Sequence, residues 1–185
     1  MQSVTYALFG GSFDPPHIGH KEIIKKALDI KDVDCIIVVP TYLNPFKDSF
    51  NLNPDIRYEL AKESFDNLGC VEFSTYEIEQ KRSVYTIETY KELSKTKNIK
   101  FIIIGSDNLK SITKWKEFDY LNNKITWIVA TRGKNLPKNI PLKSYKIINL
   151  DIDVSSSEIR ANKKLDFIDK KIKSQIIKHY KLKED

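Results

Sequence analysis

Short apolar runs limit the folds open to this 185-residue chain more than any other feature. Residues 35–39 and 101–104 are apolar at every position, and residues 125–130 contain one threonine among apolar side chains. Strands are continuously apolar when both of their faces are buried, as in a parallel sheet that has helices on each side. The runs therefore predict strands of a buried parallel sheet.

The segments between these runs have the spacing of helices. Residues 21–28 repeat apolar side chains at helical intervals, and Asn53 followed by Pro54 predicts an N-cap and the first residue of a helix. The remaining strand-like segments are residues 4–9, 71–74 and 145–150, and the remaining helical ones are residues 84–93 and the stretch from 54 towards 68. This alternation predicts a Rossmann-like, doubly wound α/β fold with helices on both faces of a parallel sheet. In such sheets ligands bind at the carboxyl ends of the strands.

The positive charge of the chain is concentrated near its C-terminus. The formal net charge is +6, but residues 160–185 hold nine basic and four acidic side chains, and the rest is close to neutral. Apolar residues at positions 165, 168, 172 and 176 recur at helical spacing with lysines between them. We therefore expect a single domain over residues 1–185, in which a Rossmann-like core of residues 1–162 carries a basic amphipathic helix over residues 163–185. A nucleic-acid-binding module that uses the lysine face is the alternative from another functional class.

Other features exclude several classes of protein. No apolar run approaches the ~20 residues of a membrane span, and the N-terminus lacks the layout of a signal peptide. Cys35 and Cys70 lie in strand-like runs, and we expect both to be buried thiols in a reducing cytoplasm. We accordingly expect a cytoplasmic protein with no membrane and no nucleic-acid partner. The sequence leaves open whether it forms a homo-oligomer.

The strongest indication of chemistry is the segment of residues 10–20, Gly-Gly-Ser-Phe-Asp-Pro-Pro-His-Ile-Gly-His, directly after the first strand. Its two leading glycines let the backbone turn tightly and approach a ligand. His17 and His20 lie three positions apart at the start of a helix, so both rings can face one point, and Gly19 leaves room for a bulky anion. Because a helix N-terminus attracts phosphate, the segment predicts a phosphate-binding site.

Two further clusters follow later strands. In residues 154–160, Val-Ser-Ser-Ser-Glu-Ile-Arg, Ser155 and Glu158 fit a capping box, and the hydroxyls and the guanidinium suit a polyphosphate. The segment Gly-Ser-Asp-Asn at residues 105–108 ends another strand, where a carboxylate commonly holds sugar hydroxyls. Trp115 then offers a flat face to a heterocycle, although tryptophan packs in a core more often than it binds a ligand.

Residues 10–20 resemble the H-x-G-H signature of the nucleotidylyltransferase superfamily, and residues 155–160 resemble its second signature. Within the superfamily the resemblance is to bacterial nicotinate-nucleotide adenylyltransferases. It implies transfer of AMP from ATP to nicotinate mononucleotide, which gives deamido-NAD and pyrophosphate in NAD biosynthesis. Transferases with another acceptor, such as nicotinamide mononucleotide, phosphopantetheine or glycerol phosphate, are the nearest alternatives.

The same resemblance implies a role for each matching residue. His17, His20 and Arg160 would be catalytic, with both histidines on the ATP phosphates and Arg160 on the leaving pyrophosphate. The nicotinate nucleotide would be bound by Lys47, Thr86 and Trp115. The residues implied in ATP binding are Gly10, Gly11, Ser12, Phe13, Gly19, Gly105, Asp107, Arg132, Ser156 and Ser157. Mg²⁺ held mainly by ATP phosphates is the implied cofactor, with no metal ligand assigned to the chain.

Overall fold

A computed structural model describes residues 3–45, 48–132 and 139–181 of the chain. Six strands form one sheet in the order β3-β2-β1-β4-β5-β6, and every neighbouring pair is parallel. The strand order reverses at β1, because β2 and β3 lie on one side of it and β4, β5 and β6 lie on the other. The predicted doubly wound α/β fold is confirmed.

The strands extend slightly beyond the apolar runs that predicted them. They are β1 (Thr5–Gly11), β2 (Cys35–Pro40), β3 (Val71–Phe73), β4 (Asn98–Gly105), β5 (Thr126–Arg132) and β6 (Tyr145–Leu150). The first strand was expected to end before Gly10. It includes Gly10 and Gly11 because they remain paired with Val39 and Pro40 of β2.

Seven α-helices connect the strands or follow them within the described ranges. They are α1 (Ile18–Leu28), α2 (Pro54–Phe65), α3 (Tyr76–Glu79), α4 (Thr86–Leu93), α5 (Phe118–Lys124), α6 (Ser156–Asn162) and α7 (Lys173–Tyr180). Both predicted caps are confirmed. The Asn53 side chain accepts the Asp55 N–H at 2.8 Å, and Ser155 and Glu158 cap each other's backbone N–H at the start of α6.

The C-terminal segment is not the continuous helix expected over residues 163–185. A 3₁₀ turn (Leu165–Phe167) precedes α7, which begins only at Lys173. Between them the Asp169 carboxylate accepts the Lys171 N–H at 2.9 Å, and such a local side-chain bond competes with helix formation. The predicted apolar stripe is nevertheless buried, since Ile168, Ile172 and Ile176 all lie in the core.

Apolar side chains pack against both faces of the sheet. On one face α1 and α2 bury Ile24 and Phe65, and on the other α4 and α5 bury Ile87 and Leu121. A third cluster, which includes Ile176, joins α2, α6 and α7. None of the helices in the described ranges is both long and apolar enough to cross a membrane.

The two cysteines are bonded to each other, so the prediction of two buried thiols is wrong. Ile36 of β2 pairs with Val71 of β3, which places Cys35 opposite Cys70 with their Cα atoms 4.7 Å apart. That separation lies within the range of disulfides. Cys35 is fully buried, whereas Cys70 is exposed. The pairing depends on which strands are neighbours, and a separation of 35 residues in the chain does not reveal it.

Reduction of the Cys35–Cys70 disulfide is expected to lower the free energy of unfolding by about 4 kcal/mol, because the bond closes a loop in the unfolded chain. Turnover should not change, since the bond lies at the amino ends of β2 and β3 and ligands bind at the carboxyl ends. Denaturant midpoints and initial rates with and without a thiol reductant measure both effects, and Cys70→Ser is the matched variant. Two free thiols titrated in the unreduced, unfolded protein would contradict the bond.

Candidate active site

The segment between β1 and α1 brings two imidazoles into contact. His17 is the N-cap of α1, and its backbone N–H donates to Nδ1 of His20 at 3.2 Å. The two rings are stacked with their centroids 3.7 Å apart. The short spacing at the start of a helix thus places both histidines at one point, as the sequence predicted.

His17 is buried but not satisfied. The residue is only 1% exposed, and neither ring nitrogen has a hydrogen-bond partner within the described part of the chain. Burial, with the nearby Arg132 charge, lowers the pKa of His17 to about 3, and burial with the His17 and Arg132 charges lowers the pKa of His20. Both imidazoles are therefore neutral near pH 7 and can offer ring N–H groups to an anion.

Gly19 and Phe13 determine how these rings are held. A Cβ atom at Gly19 would lie 3.0 Å from the His17 ring and 3.5 Å from Val154, so glycine is needed for this close approach. The Phe13 ring is buried, and it packs edge-on against His20 with centroids 5.0 Å apart. Phe13 thus supports the site from the core, a role additional to the ATP contact expected of it.

The second cluster, at the start of α6, touches the first directly. Ser156 donates its hydroxyl to the Pro15 carbonyl at 2.8 Å. The Arg160 guanidinium donates to the Asp14 carbonyl and to the Ser157 hydroxyl, the latter at 3.3 Å. Segments about 140 residues apart are joined in this way, so hydroxyls, a guanidinium and two imidazoles form one donor-rich site.

The third cluster lies at the end of β4. Gly105 ends the strand and accepts a hydrogen bond from the Asn108 side chain at 3.2 Å, while Asp107 is exposed in the following 3₁₀ turn. Trp115 is half-buried, and its ring meets Trp127 edge-on with centroids 6.2 Å apart.

Thr86, the other residue expected at the acceptor end, is the first residue of α4. The region after Trp115 is tied to this helix by an ion pair of 2.6 Å between Lys91 and Glu117. Lys116 also lies 4.9 Å from the Tyr85 ring centroid. Lys47, expected to bind the acceptor, lies outside the described residues.

Asp14 and Arg57 are parts of this region that the sequence did not single out. Asp14 is 3% exposed and Arg57 is 1% exposed, which is unusual for charged side chains. Asp14 belongs to the first motif, but Arg57 reads in the sequence as an ordinary charged position of a helix. Only the burial of Arg57 and its contacts with backbone carbonyls reveal its importance.

Glu77 is a second buried acid, close to the start of α4. Its Oε1 accepts the Thr89 hydroxyl at 2.6 Å, and its Oε2 lacks a partner among the residues that the structure describes. Burial, with a smaller contribution from the Glu88 charge, raises the pKa of Glu77 to about 7 despite the hydrogen bond from Thr89. The carboxyl therefore holds a proton in the folded protein well above the pH at which it would lose it in the unfolded chain.

Stability should fall as pH rises between about 4.5 and 7, because the folded state binds the Glu77 proton more tightly than the unfolded state does. The loss attributable to this group is about 3 kcal/mol. Glu77→Gln keeps an oxygen for Thr89 without ionising, so it should remove this part of the pH dependence. Chemical denaturation of both proteins at pH 5 and pH 8 measures the difference. Equal pH slopes would show that the carboxyl does not carry this effect.

No group of three or more His, Cys, Asp or Glu side chains in the described ranges is placed to hold a metal ion. The side chains gathered at the site are donors and cations, which complement phosphate oxygens.

A parallel doubly wound sheet with this pair of motifs at its carboxyl edge defines a nucleotidylyltransferase. Residues 8–162 match the cytidylyltransferase-like family, so the chain belongs to that family. A protein of Sulfurovum sp. (strain NBC37-1) named "Probable nicotinate-nucleotide adenylyltransferase" is 46% identical over 97% of this chain and 95% of its own length. A protein of the same name from Aliarcobacter butzleri is 44% identical over 92% of this chain and 94% of its own length. Within the family the chain thus belongs with the nicotinate-nucleotide adenylyltransferases.

Solved structures agree on the fold. Nicotinic acid mononucleotide adenylyltransferase of Plasmodium falciparum complexed with NaAD superposes with a TM-score of 0.80 at 22% identity, covering 97% of this chain and 98% of that one. The same enzyme complexed with APC gives a TM-score of 0.75 at 21% identity, with the same coverage. At this level of identity the likeness concerns the fold alone.

Proposed function

We propose that the protein transfers the AMP moiety of ATP to nicotinate mononucleotide and releases pyrophosphate, forming deamido-NAD for NAD biosynthesis in the cytoplasm. The observation that carries the proposal is the buried His17 ring, whose nitrogens lack partners in the described structure and lie beside the Ser156 and Arg160 cluster. A buried donor without a partner is costly, and a phosphate oxygen would accept the hydrogen bond of the ring N–H. The names of the relatives that are more than 40% identical support the same acceptor.

The reaction is an in-line displacement at the α-phosphorus of ATP. An oxygen of the acceptor's 5′-phosphate forms the new bond to the α-phosphorus, and the bond from that phosphorus to the bridging oxygen of the β-phosphate breaks. Pyrophosphate leaves with the electron pair of the broken bond. Because a phosphate monoester has a second pKa of about 6, the nucleophile is already anionic near pH 7 and needs no general base.

Catalysis then rests on position and charge rather than on covalent chemistry. His17 and His20 donate ring N–H groups to the α-phosphoryl oxygens, where negative charge accumulates. Arg160, Ser156 and Ser157 hold the β- and γ-phosphates and stabilise the leaving pyrophosphate. Arg132 adds a positive charge near the two imidazoles, as its effect on their pKa values indicates. Mg²⁺ would be held mainly by the ATP phosphates and would neutralise part of their charge.

The remaining expected residues divide between the two substrates. The backbone of Gly10, Gly11 and Ser12 approaches the nucleotide where β1 ends, and Gly105 with Asp107 takes the adenosine ribose at the end of β4. Thr86 and Trp115 bind the nicotinate end, where the ion pair between Lys91 and Glu117 holds their two elements together.

Incubation of the purified protein with ATP, Mg²⁺ and a panel of acceptors tests the proposal. Pyrophosphate release should be fastest with nicotinate mononucleotide, and the nucleotide product should have the mass of deamido-NAD. Nicotinamide mononucleotide, phosphopantetheine and glycerol phosphate are the competing acceptors. Faster release with one of these would identify that compound as the acceptor and keep the reaction class. No release with any of the four acceptors would refute nucleotidyl transfer to these compounds.

A further inference from the structure

The Asp14 carboxylate is a buried junction between parts of the chain that are distant in sequence. Its Oδ2 accepts both the backbone N–H and the side-chain amide of Asn51, at 3.0 and 3.1 Å. Its Oδ1 accepts the hydroxyl of Tyr180, in the last turn of α7, at 2.6 Å. Both oxygens are therefore held, one by the loop after β2 and the other by the C-terminal helix.

Arg57 joins the same loop to the first motif through backbone carbonyls. Its guanidinium donates to the carbonyls of Leu52 at 2.9 Å, Thr41 at 2.7 Å and Tyr42 at 3.0 Å, and also to the carbonyl of Ser12. These partners are neutral oxygens, and the Asp14 carboxylate supplies the nearby negative charge. A buried cation thus ties the loop after β2 to the first motif, with Asp14 as its counter-charge.

The backbone around Asp14 contacts or leads to the catalytic groups. Its own carbonyl accepts the Arg160 guanidinium, the next carbonyl, of Pro15, accepts Ser156, and His17 follows two residues later. A rotation or shift at Asp14 would move both anion-binding clusters relative to each other. Displacements of about 1 Å in such a site can reduce turnover by about 100-fold.

We propose that Tyr180 is a positioning residue for adenylyl transfer, because its hydrogen bond to Asp14 fixes the backbone that leads to His17 and accepts hydrogen bonds from Arg160 and Ser156. The inference rests on the proposed function. With this role, the C-terminal helix α7 supports the active site. The sequence alone indicated only an amphipathic helix with a lysine face. Ile172 and Ile176 anchor α7 in an apolar cluster that also contains Ile159 of α6, so the hydroxyl is presented by a packed element.

Tyr180 is suited to this task because it stays a donor. Burial and the adjacent Asp14 carboxylate raise the pKa of its hydroxyl, so the proton remains on the tyrosine oxygen throughout the working pH range. The hydrogen bond to a carboxylate is charge-assisted and short, which favours one orientation of the acceptor.

The variant Tyr180→Phe removes the hydroxyl and keeps the ring in its apolar cluster. Tyr6→Phe is the matched control, because the Tyr6 hydroxyl also donates to a carboxylate, Oε1 of Glu72, at 3.0 Å. Tyr6 pairs with Cys35 at the amino end of the sheet, away from the site. Both rings are half-buried, and Glu72 is more exposed than Asp14, so Tyr6→Phe controls for the loss of a tyrosine–carboxylate bond away from the site.

Wild type and both variants are assayed by pyrophosphate release at saturating magnesium–ATP. The rates give kcat and the KM for nicotinate mononucleotide. Each kcat is normalised to the folded fraction of the preparation, measured by circular dichroism. Tyr180→Phe should lower kcat by about 10-fold or more, with that KM within about twofold of wild type. Tyr6→Phe should keep the wild-type kcat. Tyr180→Met, which also lacks the hydroxyl and fills the apolar cluster with a flexible side chain, should lower kcat in the same way and replaces Tyr180→Phe if that variant does not fold.

Each outcome is informative. An active wild type with equal kcat in Tyr180→Phe, or with an equal loss in Tyr6→Phe, overturns the positioning role and leaves the proposed function intact. If Tyr180→Phe is unfolded, wild-type kcat in Tyr180→Met overturns the role. Absence of wild-type turnover with nicotinate mononucleotide refutes the proposed function and this inference together.

Discussion

Replacing His17 with alanine is expected to lower kcat by about 10²–10³-fold, which is typical for the loss of one donor that stabilises transition-state charge. The ring has no partner for either nitrogen within the described structure, so its N–H group is available for the α-phosphoryl group. For the same reason the variant should fold, since no hydrogen bond of the described protein is lost with the imidazole. Initial rates and a thermal unfolding curve of the same preparation measure both effects.

His179→Ala is the matched control for this experiment. It removes the third histidine of the chain, which is exposed on α7. Its turnover should equal that of wild type, and a comparable loss would mean that the assay reports a general effect of the substitution. A folded His17→Ala protein with near wild-type kcat would remove His17 from the catalytic residues.

Arg160→Ala is expected to reduce turnover by about 10²-fold and to weaken the binding of pyrophosphate in the reverse reaction. The guanidinium holds the Asp14 carbonyl and the Ser157 hydroxyl, so the variant loses both a positive charge and a link between the two clusters. Arg160→Lys keeps the charge but not the forked geometry, and it should fall between wild type and alanine. Initial rates with deamido-NAD and varied pyrophosphate give the reverse KM.

Lys164→Ala is the control for removal of a nearby cation. Lys164 lies beyond α6 and pairs with Glu158 at 3.4 Å, without touching the first motif in any contact that the structure shows. It should change neither kcat nor the KM for pyrophosphate. An unchanged KM for pyrophosphate in Arg160→Ala would show that Arg160 supports the backbone without holding the leaving group.

Much of the fold could be predicted because its signals are local. Continuous apolar runs require burial on both faces, so residues 35–39 and 101–104 identified two central strands directly. Capping residues likewise indicated where α2 and α6 begin, since their side chains bond to backbone atoms within three positions. The juxtaposition of the two motifs followed from the rule that parallel strands present their carboxyl ends at the same edge.

The parts that could not be predicted depend on contacts between distant segments. The Cys35–Cys70 bond requires the knowledge that β2 and β3 are neighbours, which the order of elements along the chain does not supply. Arg57 looks like a surface residue until its carbonyl partners are known. Tyr180 lies 166 residues from Asp14, and no periodicity connects them. The site therefore depends on tertiary contacts that a pattern of local residue types does not contain.

The separation between the two motifs has a consequence for how the protein matures during synthesis. The hydrogen bond from Ser156 to Pro15 spans 141 residues, and that from Tyr180 to Asp14 spans 166. A ribosome must release the chain beyond residues 156 and 180 before these contacts can close, although β1 and β2 can already pair. Appearance of activity during translation or refolding should therefore lag behind the gain of secondary structure, and turnover is a reporter of the last step of assembly.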